Sequence, residues 1–377
     1  MIHTQAWVLH PATTAGETAQ LVQEDFSFAP PGPDEALVKP LFGCWEGNMT
    51  HALRRSPLDL CVARDESCIV LGNAGVVEVL QAEAQSGLRL GDRCLVFCNG
   101  EPDIHGYPRR IYGYDAPGTI GVLARQSKLK TRQLIKLPEN SSISLEQWAG
   151  FSLRYITAWA NWRVAVGCWR AQMDDCPASR APVLSWGGGV ALAELSLARM
   201  AGHPTAMVAS RSSRLALIER LGITPIDRRI FSEESFDADF LGVVHGLTGG
   251  QGAAIFVDNI GAHYRSTMKA LARQGVLTTS GWKHGLTFPV VRANECIERH
   301  IDVYTHYARR NEGEAAVAYA QGHGWAPPQP DMVWAWDDIP RLAQAYAAGE
   351  IDDYFPVYSI NRPSLLDGLT REHATCW

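Results

Sequence analysis

The sequence has no run of about eighteen apolar residues, the least a membrane-spanning helix needs. Its first residues, Met1 to His10, lack the basic and then apolar profile of a secretory leader. Positive charge is not in surplus either. Against 40 Asp and Glu stand 34 Lys and Arg, a net charge of -6, which excludes a general nucleic-acid surface while allowing a local basic pocket. The nine cysteines (Cys44, Cys61, Cys68, Cys94, Cys98, Cys168, Cys176, Cys296 and Cys376) show no paired spacing and read as reduced thiols of an intracellular chain. No internal repeat or low-complexity segment is present. Together these absences imply a soluble, cytoplasmic protein with neither a membrane nor a nucleic acid as partner.

What is present suggests two domains, since 377 residues exceed the usual size of one. The first 140 or so residues are β-rich, with short apolar runs at 36–41, 76–80, 93–97 and 134–137. Residues 144–162 carry Leu145, Trp148, Phe151, Tyr155, Ala158 and Trp159 at helical spacing, and the polar segment 167–180 reads as a surface loop. From Ala181 the pattern alternates. Strands are predicted at 183–184, 205–209, 253–258 and 276–280, and helices at 190–201, 213–221 and 264–274, which favours a parallel sheet covered by helices. A last helix at 338–348 and strand at 355–360 return to the first domain. The twelve tryptophans suit core or pocket lining; Trp45, Trp282, Trp334 and Trp336 hint at a bulky or flat substrate, and core packing explains them equally well.

Gly187, Gly188, Gly189 and Val190 lie between a predicted strand and helix. There a bare backbone and a helix N-terminus can hold a pyrophosphate. In a G-x-G-x-x-G reading Trp186 replaces the first glycine and Ala191 the third. The second strand of the unit runs into Ser210, Arg211, Ser212, Ser213 and Arg214 with no acid to hold a ribose 2′-hydroxyl. Hydroxyls and guanidiniums suit a 2′-phosphate, so the cofactor expected is NADPH; a solvated helix start with two surface arginines is the plain alternative.

The ordered set of Gly91-Asp92-Arg93-Cys94-Leu95-Val96, Lys136-Leu137-Pro138, Thr157-Ala158-Trp159, Leu247-Thr248-Gly249-Gly250-Gln251-Gly252 and Val257-Asp258-Asn259-Ile260-Gly261 resembles the medium-chain dehydrogenase/reductase superfamily. The resemblance implies a GroES-like β-rich catalytic domain, residues 1–155 and 325–377, and a Rossmann domain, residues 156–324, with the active site in the cleft between them. It implies that Asn259, Gly281 and Trp282 line the nicotinamide, and that the protein forms a homodimer.

The zinc-dependent members take three ligands from separate segments. Here Cys44 matches the first, Asn73 stands at the second, and the third falls near Leu153. One ligand of three does not hold zinc, which asks for a tetrahedral set of thiolate, imidazole or carboxylate donors. His51 or Cys98 are the residues that could rescue a site. A zinc-free enzyme is therefore expected, with Cys44, Trp45, Asn73 and Arg154 as substrate-pocket residues.

Without a metal, the natural reaction is hydride addition to a C=C bond conjugated to a carbonyl. Arg110-Ile111-Tyr112-Gly113-Tyr114-Asp115 resembles a stretch of crotonyl-CoA reductases and carboxylase/reductases, and His306 resembles a histidine of that group. The resemblance makes Tyr114, Asp115 and His306 catalytic candidates, with Glu46 a further one on the early loop, where Asn48 lies two residues away. Glu46 in place of the expected asparagine argues for reduction without carboxylation. Each has a structural alternative: wall packing for Tyr114, a turn for Asp115, a satisfied core histidine for His306, a partner for Arg154 in Glu46. The substrate expected is an enoyl thioester on CoA or an acyl carrier protein. A quinone, enone or carbonyl reductase and a non-catalytic NADPH-binding protein are the competing readings. Arg54-Arg55 and Arg109-Arg110 are candidates for a patch recognising CoA phosphate or a carrier.

Overall fold

The computed structural model describes residues 1–14, 17–281 and 289–363. The chain divides into two compact units: residues 1–153 together with residues from 309 onward, and residues 154–308. The first runs through β1 (Ile2–Leu9), β2 (Leu21–Phe28), β3 (Glu35–Cys44), α1 (Gly47–Arg54), α2 (Leu60–Arg64), β4 (Ile69–Val70), β5 (Gly75–Gln81), β6 (Arg93–Val96), β7 (Ser127–Lys130) and β8 (Leu134–Lys136) into α3 (Leu145–Gln172). The hairpin of β1 and β2 is not evident from residue patterning. All of β1 from Ala6 to Leu9 is buried, so the alternation that marks a half-exposed strand is missing there.

The second unit contains β9 (Val183–Trp186), α4 (Gly189–Met200), β10 (Thr205–Ala209), α5 (Ser212–Arg220), β11 (Thr224–Asp227), α6 (Phe236–Thr248), β12 (Ala253–Val257), α7 (Tyr264–Ala270), β13 (Leu271–Thr278) and β14 (Asp302–Tyr304). Its six strands are parallel in the order β11-β10-β9-β12-β13-β14. Numbered within the unit this is 3-2-1-4-5-6, the order of a doubly wound dinucleotide fold. The chain then returns to the first unit through α8 (Arg310–His323), α9 (Ile339–Ala347) and β15 (Val357–Ser359). There β15, β3, β5, β6 and β8 form an antiparallel sheet, with β7 also paired to β3.

Three boundaries differ from the sequence reading, each for a visible reason. The segment 167–180, expected as a loop, stays helical to Gln172 because Trp162 and Trp169 extend the buried stripe and pack edge-on against His203, at 5.4 and 5.9 Å. The Arg170 guanidinium then donates to the carbonyls of Asp174 (3.2 Å) and Cys176 (2.6 Å), closing the turn that follows. Helix α7 stops at Ala270, since Leu271 pairs with Ala253 and Gln274 takes a φ of 62°. Helix α8 belongs to the first unit, so the return lies at 309 rather than 325: Gly313 packs against Phe97 and Ile135, and Arg310 donates to Leu134 O at 2.8 Å.

Glu194 is one of several polar groups in the interior. It sits fully buried on α4, its Oε2 has no hydrogen-bond partner among the described residues, and burial pushes its carboxyl well above the ordinary value of 4.5. A raised folded-state value makes this group's contribution complete below that ordinary value. The contribution is then lost as pH rises, because the unfolded chain releases a proton that the fold retains. Glu194→Gln should therefore raise the melting temperature at pH 8 by at least about 3 °C, the shift expected from ~1 kcal/mol in a domain of this size. The gain should shrink toward pH 5; thermal unfolding across that range checks it, and an equal effect at both ends would contradict it.

Candidate active site

In the first unit, four chain segments converge on the turn Gly72–Gly75. The Gly72 N–H donates to Gly113 O (3.0 Å), and Gly72 O accepts from Val122 N–H (2.9 Å). Ala74 O accepts from Cys44 N–H (3.1 Å), and Gly75 N–H donates to Ser152 Oγ (3.1 Å), which in turn donates to Val96 O (2.7 Å). Gly113 has a φ of 62°, and a Cβ there would run into Gly72 O, so only glycine fits this crossing. These bonds draw together Cys44, Trp45 and Glu46 from the end of β3, Asn73 from the turn, and Tyr112 to Asp115 from the loop after β6. Tyr112 N–H donates to Cys98 O (2.8 Å), adding the Cys98 thiol to the group.

Electrostatics agree with this placement. Burial, then the Glu46 and Asp115 carboxylates, push the Cys98 thiol up to about 12, so it stays protonated and is no thiolate. Tyr114 is half-buried and is likewise pushed up to about 12, by burial and by Asp115. It can donate a hydrogen bond and cannot serve as a base near neutrality. Asp115 is engaged as a turn former: its Oδ1 accepts from Ile111 N–H at 2.5 Å, and its Oδ2 lies 3.9 Å from Arg110 Nη1. Trp45 is core, with its indole N–H given to Thr50 Oγ1 at 3.1 Å, and Trp334 and Trp336 are buried core as well. Glu46 is buried.

One member of the cluster has no sequence signal. Tyr358, on β15, pairs with Gly43, and its ring occupies the space a side chain at Gly43 would need. It is fully buried, its hydroxyl has no hydrogen-bond partner among the described residues, and burial together with Cys44, Glu46 and Tyr112 holds it neutral. The signal that could have found it is the small residue Gly43 on the facing strand.

These residues do not make a zinc site. A carboxamide and an alkyl side chain stand at two of the three ligand positions. Among the described residues no group of three or more His, Cys, Asp or Glu is placed to hold a metal ion. Burial and Arg54 hold His51, on α1, below its ordinary value. The paired arginines are mostly spent locally. Arg55 bonds Asp59 (3.1 Å) and His10 O (2.5 Å), and Arg54 bonds Ala347 O (3.0 Å), whereas Arg109 is exposed.

In the second unit Trp186 fits the nucleotide turn because it closes β9 and its side chain turns inward. The indole N–H donates to Thr267 Oγ1 (2.6 Å), which donates to Asp258 Oδ2 (3.0 Å), and the ring packs against Phe240 at 4.5 Å. The glycine-specific conformation falls one step later, at Gly188, with φ 141° and ψ 153° and open space where a Cβ would be. Gly187 precedes it, and Gly189 and Val190 open α4, presenting helix N–H groups beside that open space. This cradle fits a pyrophosphate.

Ser210 and Arg211 link β10 to α5, with Ser213 and Arg214 in the first turn. The structure adds a residue from the neighbouring strand. Ala209 pairs with Asp227, and Arg229, whose Nε and Nη2 clasp Asp227 at 2.9 and 2.7 Å, puts Nη1 3.5 Å from Ser212 Oγ. The acid nearest the site is thus neutralised. Asn259 accepts from Ser280 N–H (2.6 Å) and Ser280 Oγ (3.0 Å), and its Nδ2 has no partner among the described residues. Gly281 lies against Asn259, since a Cβ there would meet Asn259 O at 2.7 Å. Trp282 lies outside the described residues.

His306 and Arg154 are both buried and belong to the second unit, whereas Glu46, Tyr114 and Asp115 belong to the first. Asn161 fixes the backbone of His306 on both sides, accepting from His306 N–H (3.1 Å) and donating to His306 O (3.0 Å). It also donates to Thr157 O (3.1 Å) and accepts from Thr278 Oγ1 (3.4 Å). Asn161→Leu leaves the His306 amide and carbonyl unpaired, so a loss of about 2–4 kcal/mol is expected in urea unfolding. A loss under about 0.5 kcal/mol, the scale of a surface substitution, would show that this clamp is dispensable.

Residues 189–321 match the family model described as zinc-binding dehydrogenase. The comparison with curated proteins gives no match. Among solved structures the chain is similar to the crotonyl-CoA carboxylase/reductase AntE in complex with NADP, at 18% identity and TM-score 0.78, covering 96% of each chain. It is similar to the 2-octenoyl-CoA carboxylase reductase CinF in complex with NADP and 2-octenoyl-CoA, at 17% identity and TM-score 0.77, covering 95% of this chain and 87% of that one. A third likeness is to the alcohol dehydrogenase of the hyperthermophilic archaeon Aeropyrum pernix, at 20% identity and TM-score 0.75, covering 94% and 99%. At these identities the structures establish the fold. The family match lies within residues 189–321, and over the whole chain the likeness is one of fold, the two-unit fold that these dehydrogenases and reductases share.

Proposed function

We propose that this chain is an NADPH-dependent reductase that adds hydride to the C=C bond of an α,β-unsaturated acyl thioester without a metal. The observation that carries the reading is the donor set: Asn73 and Leu153 stand where a metal would need ligands, and neutral phenols and an amide surround the place. A carbonyl has no Lewis acid to polarise it here. A conjugated alkene spreads the charge it receives and is less demanding. The complexes of AntE with NADP and of CinF with NADP and 2-octenoyl-CoA support the same cofactor and substrate class.

The Gly188 cradle and the N-terminus of α4 would hold the pyrophosphate, and Ser210, Arg211, Ser213 and Arg214 the 2′-phosphate. Asn259 and Gly281 would flank the nicotinamide, which when bound supplies the hydride. Tyr114 and His306 are the candidate donors to substrate and proton, Glu46 a candidate acid, and Arg154 a candidate anion contact. Asp115 acts through its turn to set Tyr114. Plain reduction is favoured over carboxylation, since Glu46 stands on the early loop where the resemblance to the carboxylating enzymes leads one to expect asparagine.

The test is NADPH oxidation, followed by absorbance, with crotonyl-type thioesters on CoA and on a carrier protein, enones, quinones and ketones, each with and without a chelator. Chelator-insensitive turnover of the thioesters is expected. Turnover of ketones or alcohols alone, abolished by the chelator, would overturn the reading, and NADPH binding without any turnover would mean a sensor. Replacing Arg211 and Arg214 together by Ala should weaken NADPH binding about 10–100-fold, read by nucleotide fluorescence, and leave NADH binding unchanged. Equal losses for both nucleotides would place the arginines outside the 2′-phosphate site.

A further inference from the structure

Asn73 is completely buried, yet neither Oδ1 nor Nδ2 makes a hydrogen bond to any described residue. Leaving a buried polar group without a partner costs about 1–3 kcal/mol, and both ends of this carboxamide carry that cost. Nothing in the local backbone calls for asparagine. The turn is held by main-chain bonds of Gly72, Ala74 and Gly75, and Asn73 is not among the residues of positive φ. The same bonds fix Asn73 between the Cys44–Glu46 segment and the Tyr112–Asp115 segment. A second unpartnered buried group, the Tyr358 hydroxyl, belongs to this cluster.

We propose that the Asn73 carboxamide is the donor to the acyl oxygen of the substrate, standing where a metal would polarise that oxygen. The inference rests on the enoyl-thioester reading above. When the β-carbon receives hydride, the C=C π pair moves to the bond between the α-carbon and the acyl carbon, and the C=O π pair moves onto oxygen. The Asn73 N–H meets the resulting charge. The α-carbon then takes a proton from Tyr114 or His306, the donor is reprotonated from solvent, the carbonyl re-forms and the charge on oxygen is lost. Burial strengthens such a donor, because no water competes for the oxygen and the amide is held in place before the charge develops.

The experiment compares wild type with Asn73→Leu, Asn73→Ser and Asn73→Asp, each first checked for cooperative thermal unfolding and an unchanged NADPH titration. Steady-state reduction of crotonyl-CoA should fall about 10²–10³-fold in kcat/KM for Leu and Asp, as for removal of an oxyanion donor, and less for Ser. The second readout needs no turnover: cinnamoyl-CoA, a chromophoric thioester, is bound with NADP+ present. Its absorbance should shift to the red on wild type, as its carbonyl is polarised, and not on Asn73→Leu. Wild-type activity retained by the folded variants, or a red shift that survives in Asn73→Leu, overturns the assignment of Asn73 alone. A wild type that neither reduces crotonyl-CoA nor binds cinnamoyl-CoA overturns the thioester reading itself, and the role of Asn73 with it.

Discussion

Main-chain hydrogen bonds around Gly72–Gly75 fix the first unit's functional cluster. They tie the end of β3, the loop after β6, the segment at Val122 and the start of α3 to a single turn. Side chains from residues more than 300 apart in sequence, Glu46 and Tyr358 among them, meet because their backbones are pinned there or on the adjoining strand pair of β3 and β15. Rigid placement is what a hydrogen-bond donor needs if it is to act on charge that appears only during reaction. The unsatisfied Asn73 amide and Tyr358 phenol are then local costs supported by a well-paired frame.

The second unit solves a different problem. On the proposed reading its turn after β9 would admit a nucleotide phosphate while carrying tryptophan where a glycine is usual. Trp186 is accommodated because its indole is drawn away from the turn, into the layer of Phe236, Phe240, Phe256 and His263, and anchored by Thr267 and Asp258. The aromatic bulk sits beneath the sheet, and the freedom of Gly188 is retained above it. A comparable division of labour holds at the far end of the sheet, where Asn161 secures the backbone of His306.

The fold was legible where short apolar runs alternate with helical periodicity between turn residues. The predicted strands at 205–209 and 76–80 and the helices at 190–201 and 213–221 match β10, β5, α4 and α5 to within a residue or so. The hairpin of β1 and β2 was missed where burial on both faces erased the pattern, and the C-terminal part of α3 where polar residues alternate with buried tryptophans. Residue types and motifs single out Cys44, Glu46, Asn73 and Tyr114, which lie on segments bonded to the Gly72–Gly75 turn or adjoining them. Long-range pairing was not visible. Tyr358 enters through the β3–β15 register, Arg229 through the β10–β11 register, and Asn161 through hydrogen bonds to a segment 145 positions later.

The exchange of a metal for an amide restricts the chemistry in a definite direction. Hydride delivered to an isolated carbonyl carbon leaves a full charge on one oxygen, an alkoxide that a neutral amide stabilises poorly. Hydride delivered to the β-carbon of an enoyl thioester leaves an enolate, whose charge is shared between oxygen and the α-carbon, and a single well-placed neutral donor meets it better. On the proposed reading, Asn73, Tyr114 and Tyr358, with the phenols held protonated, would serve the second demand.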